Sequence, residues 1–108
     1  MEEKPIHFED MVAAVEMPTD GILSRTLVNT AAAKVVLFAF STGQELSEHT
    51  AAMAATLHIL KGEADVILGE DIHHASAGFW AHMPPHLKHS VRTKTPTVML
   101  LVLLKKSA

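Results

Sequence analysis

Histidine is the residue type in this chain with the widest chemical range. The 108 residues include eight histidines but no cysteine and no tyrosine. Imidazole is the commonest metal ligand in proteins and changes its charge near neutral pH. The lack of cysteine excludes disulfides and metal sites built on thiolates. A metal site would therefore depend on histidine, although the simpler interpretation of any single histidine is a partly exposed surface residue.

Two of the histidines lie in patterns of fixed intervals that begin at a glycine. The first pattern has Gly43, five residues, His49-Thr50-Ala51, three residues, Ala55, six residues and Gly62. The second pattern has Gly78, five residues, Pro84-Pro85-His86, two residues, His89, three residues and Thr93. These intervals resemble the two signature motifs of the cupin superfamily.

All intervals of the family motifs match, whereas four of the motif residues differ. The family motifs are similar to Gly-x5-His-x-His-x3–4-Glu-x6-Gly and Gly-x5-Pro-x-Gly-x2-His-x3-Asn. Here Ala51 and Ala55 stand in place of the second histidine and the glutamate. His86 and Thr93 stand in place of the second motif's later glycine and its asparagine. The resemblance covers residues 21 to 105, and the segments 43–50, 60–64 and 83–89 look like those of small bacterial one-domain cupins.

The resemblance implies an all-β fold, a single antiparallel barrel of the double-sheet jelly-roll type that is open near His49 and His89. It also implies a site of three histidines and one carboxylate for Fe, Mn, Ni or Zn, ions that imidazole and carboxylate suit. Only His49 and His89 carry over as metal ligands. Because structural and catalytic zinc sites normally use three or four protein ligands, we expect a divalent transition metal to be held weakly or not at all.

Other side chains could complete the site or line a ligand pocket. His58, His82 and His86 are alternatives for a third imidazole, with His58 expected on the opposite strand face from residue 49. Met53, Trp80, His82 and His86 are candidates for the pocket wall, since a thioether and an indole make good apolar surfaces. Ordinary core packing is the alternative for Met53 and Trp80. We expect Glu45 and Glu48 in a solvated loop and His73-His74 in solvent, and no catalytic residue can be named.

Short apolar segments separated by turn residues predict many strands, as in a sandwich or barrel. The expected strands are 22–28, 34–40, 56–60, 64–68, 72–75, 79–83, 90–92 and 97–104. Residues 49, 51, 53 and 55 are expected to share one face of one extended strand. Helix-like spacing of Phe8, Met11, Val12 and Val15 indicates an N-terminal arm or short helix within residues 1–20, before a barrel domain of residues 21–108.

Charge and hydropathy limit the partners. The net charge of −3 offers no basic field for nucleic acid or an anionic membrane surface. The longest apolar segment, Val98 to Leu104, is too short to cross a bilayer, and the acidic N-terminus lacks a signal-peptide pattern, which favours a cytoplasmic protein. Because this segment is apolar at every position and Ile22 to Val28 is a second such strand, we expect a homodimer.

Three functional hypotheses remain open at this level. The first is a cupin that binds a small organic ligand in its barrel, with a degenerate or weak metal site. The second is a metal-dependent dioxygenase, decarboxylase or isomerase that acts on a small organic acid, aromatic compound or sugar. The third is a non-catalytic dimeric module. Missing ligands at positions 51 and 55 favour the first, because such groups tune a metal and orient its substrate.

Overall fold

The computed structural model describes residues 4–49 and 51–105, with the backbone alone for Glu48 and His49. Apart from a short 3-10 helix, the regular elements of this part of the chain are strands, which confirms the all-β prediction. Their bounds are β1 (Ile22–Asn29), β2 (Ala33–Phe40), β3 (Glu45–His49), β4 (Ala54–Lys61), β5 (Glu63–Leu68), β6 (Asp71–Ser76), β7 (Trp80–Met83), β8 (His89–Thr93) and β9 (Thr97–Leu104).

The strands form two antiparallel sheets. One sheet has five strands in the order β1-β2-β9-β4-β7, and the other has four strands in the order β3-β8-β5-β6. Both are made largely of strands that are distant in sequence, as in a jelly roll, and the two layers enclose one apolar core. No helix among the described residues is long and apolar enough to span a membrane.

Alternation along the strands sends every second side chain into the core. In β4 the residues Ala55, Leu57 and Ile59 are buried, whereas the residues between them are half-buried. From the other sheet, Val66 and Val91 are buried in the same cluster. Burial of such side chains contributes about 1.5–3 kcal/mol each relative to exposure. The layer between the sheets is therefore the main source of stability.

Gly62 lies where the chain passes from the five-stranded sheet into the four-stranded sheet. Its φ is +91°, a region that residues with a Cβ atom rarely adopt. A Cβ at this position would lie 2.3 Å from the carbonyl oxygen of Pro96. The close approach of two backbones explains why a glycine occurs between β4 and β5.

The expected N-terminal helix is reduced to the 3-10 helix Val12–Ala14, and the rest of residues 4–20 is irregular. This N-terminal segment is held by Arg25 of β1. The Arg25 guanidinium donates a hydrogen bond to the carbonyl oxygen of Ala14 over 2.6 Å and lies 5.3 Å from the ring centre of Phe8. The segment therefore covers part of the outer surface of the five-stranded sheet.

Two expectations around position 49 are wrong. Residues 49 to 55 do not form one extended strand, because β3 ends at His49 and β4 begins at Ala54. The carbonyl oxygen of Ala51 instead accepts a hydrogen bond from the backbone N–H of His86 over 2.7 Å, which ties the bend to a neighbouring loop. Glu45 and Glu48 belong to β3 rather than to a loop, and Glu45 pairs with Arg92 of β8.

Candidate functional site

A small cavity lies inside the barrel, between the two sheets. Its volume is about 30 Å³, and one imidazole and two thioethers are among its walls. The described residues that line it are Ala51, Met53, Ala55, Met83, Pro84, Leu87, His89, Leu101 and Leu103. The walls are otherwise apolar, so His89 is the lining side chain best able to bind an ion or a polar ligand.

His89 is buried and oriented. Only 7% of the residue is exposed, and its Nδ1 lies 3.0 Å from the carbonyl oxygen of Leu87. A carbonyl oxygen can only accept, so Nδ1 must carry the hydrogen. In the neutral ring the lone pair then resides on Nε2. This is the arrangement by which metal-ligating histidines are commonly fixed.

The backbones of His49 and His89 lie opposite each other on neighbouring strands. The two residues pair across β3 and β8, after an irregularity in the register between Leu46 and His49. The other neighbour of His89 is Leu68 of β5. The side chain of His49 lies outside the described part of the structure, so its role as a metal ligand stays a prediction.

The loop between β7 and β8 explains one unusual motif position. His86 occupies the place of the motif's later glycine and has a φ of +68°, a region that favours glycine and that histidine adopts less often. The backbone of His86 bonds to Ala51, as described above, while its side chain is exposed. The structure therefore places His86 at the rim of the barrel and not in the cavity wall.

Thr93, at the position of the motif's asparagine, is a structural residue to which the sequence alone assigned no role. It is buried, and its hydroxyl donates to the carbonyl oxygen of Ser41 over 2.8 Å. The Thr93 hydroxyl oxygen in turn accepts a hydrogen bond from the backbone N–H of Gln44 over 3.0 Å. Thr93 thus links the end of β8 to the segment between β2 and β3. A polar residue at this motif position was the available signal.

The other residues predicted for the site lie elsewhere. Met53 lines the cavity with His89, whereas Trp80 is 58% exposed. Trp80 pairs with His58, and His82 pairs with Thr56. Leu57, which lies between Thr56 and His58 in β4, points into the core. The side chains of His58, Trp80 and His82 therefore lie on the outer face of the five-stranded sheet. The structure therefore does not bring His58, His82 or Trp80 together with His89.

A second polar cluster lies on the outer face of the four-stranded sheet. The Nδ1 of His74 lies 2.6 Å from Oδ1 of Asp65, and the Nζ of Lys94 lies 3.3 Å from the same oxygen. The hydrogen bond from His74 lowers the pKa of Asp65, partial burial opposes that change, and Lys94 adds to the lowering. His74 itself is exposed, as expected. We interpret this cluster as a surface ion-pair network.

The described histidines and carboxylates do not assemble a metal site by themselves. Among the side chains that the structure describes, no group of three or more His, Cys, Asp or Glu residues lies close enough to hold an ion. The four-ligand site implied by the motifs thus lacks its carboxylate, since position 55 presents only the methyl group of an alanine. The residues around His89 do not fit that site.

Searches with the sequence gave no match to a protein-family model and none to a curated protein. Solved structures gave clear matches. A conserved protein of unknown function from Streptococcus pyogenes has a TM-score of 0.84 and 28% identity, with 100% of this chain and 93% of that chain covered. A cupin superfamily protein from Desulfitobacterium hafniense has a TM-score of 0.85 and 22% identity, covering 98% of this chain and 100% of that chain.

A third solved structure is also described as a cupin. A cupin 2 conserved barrel domain protein from Leptotrichia buccalis has a TM-score of 0.80 and 27% identity, covering 87% of this chain and 46% of that chain. The TM-scores show that this chain shares the overall fold of these neighbours. On this evidence the chain has the fold of cupin superfamily proteins.

Proposed function

We propose that the protein is a binding cupin, which holds a small ligand in the barrel cavity and a transition-metal ion weakly on His49 and His89. The observation that carries the proposal is the buried imidazole of His89, whose hydrogen bond to Leu87 fixes the ring. An imidazole in the wall of an otherwise apolar cavity can coordinate an ion that enters it. The backbone pairing of His49 with His89 supports a shared site.

The size of the cavity limits the ligand. A volume of about 30 Å³ is small beside the roughly 150 Å³ of an engineered protein cavity that binds benzene. An aromatic compound or a sugar would therefore need the side chains that line the cavity to move. The cavity favours an ion that carries a ligand of few atoms over a large organic substrate. This refines the organic-ligand hypothesis toward the smallest members of that class.

The metal-dependent enzyme is the alternative, and the described residues favour it less. Such an enzyme would need groups that neutralise and tune the ion. At positions 51 and 55 this chain has alanines, and the described lining of the cavity contains no acidic side chain. Two imidazoles alone bind a divalent ion less tightly than three or four ligands do. We therefore propose weak binding of the ion rather than catalysis on it.

Elemental analysis of protein purified without a histidine tag tests the proposal. We expect zinc or nickel below one equivalent, and we expect it to be lost in His49→Ala and in His89→Ala. His74→Ala is the matched control, because it removes an exposed histidine from the outer face of the same four-stranded sheet, away from the cavity. Stoichiometric metal that survives both substitutions would move the site elsewhere and overturn the assignment.

We also propose that the protein forms a homodimer through the outer face of the five-stranded sheet. Leu100 and Val102 point outward from β9 and are half-buried, while Leu104 and Trp80 are exposed. Exposed apolar side chains on one sheet face are typical of an interface. A second copy would cover them by the same face, as a two-fold axis requires.

Light scattering at micromolar concentration tests the dimer. For the wild-type protein we expect about twice the chain mass of 11.7 kDa. For Trp80→Lys we expect a shift toward the monomer mass. Ile72→Lys is the control, because Ile72 is similarly exposed but lies on the four-stranded sheet. A wild-type protein of monomer mass would refute the proposal.

A further inference from the structure

We infer that the barrel cavity prefers a soft monovalent ion, Cu(I), bound by the thioethers of Met53 and Met83 and the imidazole of His89. The inference rests on the proposed binding function and specifies which metal the cavity selects. It departs from the three-histidine and one-carboxylate site that the sequence motifs imply, because the described residues do not supply that site.

The three side chains come from different parts of the fold and line one cavity. Met83, at the end of β7, is 2% exposed and pairs with Ala55 of β4. Met53 lies in the bend just before β4 and is half-buried. His89 begins β8 on the facing sheet. The cavity is thus lined by two sulfur-bearing side chains and one imidazole, with alanine and leucine methyl groups and a proline around them.

The chemistry of these groups favours a soft ion. Thioethers bind Cu(I) well, whereas divalent ions such as Mn and Mg prefer carboxylate, carbonyl and water oxygens. Ala55 occupies the motif position that would supply the carboxylate, and it borders the cavity with a methyl group. A monovalent ion also places less charge in apolar surroundings, where every uncompensated charge is costly.

The polarity of the walls supports the same choice. A divalent ion held by few protein ligands completes its coordination shell with water, and a buried water needs two to four polar partners. Apart from His89, the side chains that line the cavity carry no nitrogen or oxygen atom to hold such waters. Cu(I) is stable at low coordination number without water, so it fits where a hydrated divalent ion does not.

His89 is prepared to act as the nitrogen ligand. Because Nδ1–H donates to the Leu87 carbonyl, the nitrogen that carries the lone pair in the neutral ring is Nε2. Second-shell hydrogen bonds of this kind fix the ring orientation and raise the basicity of the ligand. A simple space-filling role for the methionines, which often fill irregular core gaps, is the alternative that the experiment must separate.

The experiment is an anaerobic titration of the untagged full-length protein with Cu(I) held by the coloured chelator bicinchoninate. We expect one equivalent of Cu(I) to transfer to the protein and Ag(I) to compete for it. We expect Zn(II) and Ni(II) at the same concentration not to displace it. X-ray absorption at the copper edge should show sulfur as well as nitrogen scatterers, which a space-filling role would not produce.

Two methionine variants separate binding from packing. Met83→Leu keeps the volume and should weaken Cu(I) binding by at least about tenfold, the lower end of what loss of a supporting group costs at metal sites. Met99→Leu is the matched control, because Met99 is equally buried but does not line the cavity. Circular dichroism and thermal melting confirm that each variant is folded.

The outcomes are distinct. Unchanged Cu(I) affinity in folded Met83→Leu, or Zn(II) binding as tight as Cu(I), would overturn the inference while leaving a metal-binding cupin. If the wild-type protein binds none of Cu(I), Zn(II) and Ni(II), both the inference and the proposed metal site are overturned. Sulfur scattering together with the selective effect of Met83→Leu would support both.

Discussion

The outer faces of the two sheets differ in what covers them. On the five-stranded sheet, backbone pairing aligns one row of side chains across all strands, and this row consists of Arg25, Leu37, Leu100, His58 and Trp80. Leu37 is fully buried although it lies outside the core between the sheets. Its neighbour Arg25 is bonded to Ala14, so the N-terminal segment lies over this end of the row. At the other end Trp80 is exposed.

The outer face of the four-stranded sheet is charged and open. Its corresponding row consists of Glu45, Arg92, Asp65 and His74. A guanidinium nitrogen of Arg92 lies 3.7 Å from a carboxylate oxygen of Glu45. The Asp65 carboxylate accepts a hydrogen bond from His74 and forms an ion pair with Lys94. Opposite charges on neighbouring strands stabilise a sheet modestly and keep its surface in water.

The difference shows that period-two alternation fixes which residues share a face but not whether that face is exposed. Both sheets alternate, yet one outer face is apolar and partly covered, whereas the other is a solvated charge network. The five-stranded sheet is thus effectively a middle layer beneath the N-terminal segment. We expect substitutions on the two faces to have unequal effects, and we expect the largest effect of all at the junction of the two sheets.

Gly62→Ala should be the most destabilising change. The added Cβ would meet the Pro96 carbonyl at 2.3 Å in a backbone region of positive φ. We expect a loss of about 4 kcal/mol, the sum of left-handed strain and overpacking. Gly43→Ala is the control, because Gly43 also has a positive φ but no atom within 4 Å of the new Cβ. Urea denaturation should show a loss of about 1–2 kcal/mol for the control. Equal losses for the two would contradict the close approach.

Leu37→Ala should destabilise the covered face by about 3 kcal/mol, because it removes a fully buried side chain. Ile72→Ala on the other sheet removes a side chain that is 62% exposed. Its effect should stay within about 0.5 kcal/mol. Chemical denaturation of both variants measures the contrast directly. A small effect of Leu37→Ala would mean that the N-terminal segment leaves this face open in solution.

Arg25→Ala should cost about 1 kcal/mol, because it removes the hydrogen bond to Ala14 and the contact with the Phe8 ring. It should also speed proteolysis within residues 4–20. Arg92→Ala removes only an exposed ion pair to Glu45 and should cost less than about 0.5 kcal/mol. Equal protease sensitivity of Arg25→Ala and wild type would show that the N-terminal segment is held by other contacts.

Asp65→Asn should have the smallest effect and a characteristic pH dependence. The folded pKa of Asp65 is lowered, mainly by His74. The ion-pair contribution is therefore fully present above the unfolded value of about 3.8 and is lost as the pH falls through the folded value. The variant should lose a few tenths of a kcal/mol at pH 7 and nothing at strongly acid pH. Asp71→Asn, an exposed carboxylate of the same hairpin, is the control. A difference that persists unchanged into acid would contradict this assignment.

The strand pattern could be predicted from turn residues, since Gly62, Gly69 and Gly78 all adopt positive φ between or near strands. The strand β3 was missed because its polar sequence resembles a loop and its pairing with β8 is a long-range contact. The outward position of Trp80 follows from its pairing with His58, which no local pattern reveals. His89 was found through its motif interval. The alternation of side chains along a strand suggested Met53 as a pocket residue. It did not reveal the bend before β4 that places Met53 in the cavity wall.

The position of β9 has a consequence for synthesis on the ribosome. It is the last strand along the described chain, yet it lies between β2 and β4 in the centre of the five-stranded sheet. During translation β2 and β4 therefore emerge with one edge each unpaired. At about 5–20 residues per second, the interval between the emergence of β2 and that of β9 is on the order of 3–10 s. The nascent chain must spend those seconds with open strand edges, where a chaperone that binds extended apolar segments would find its target.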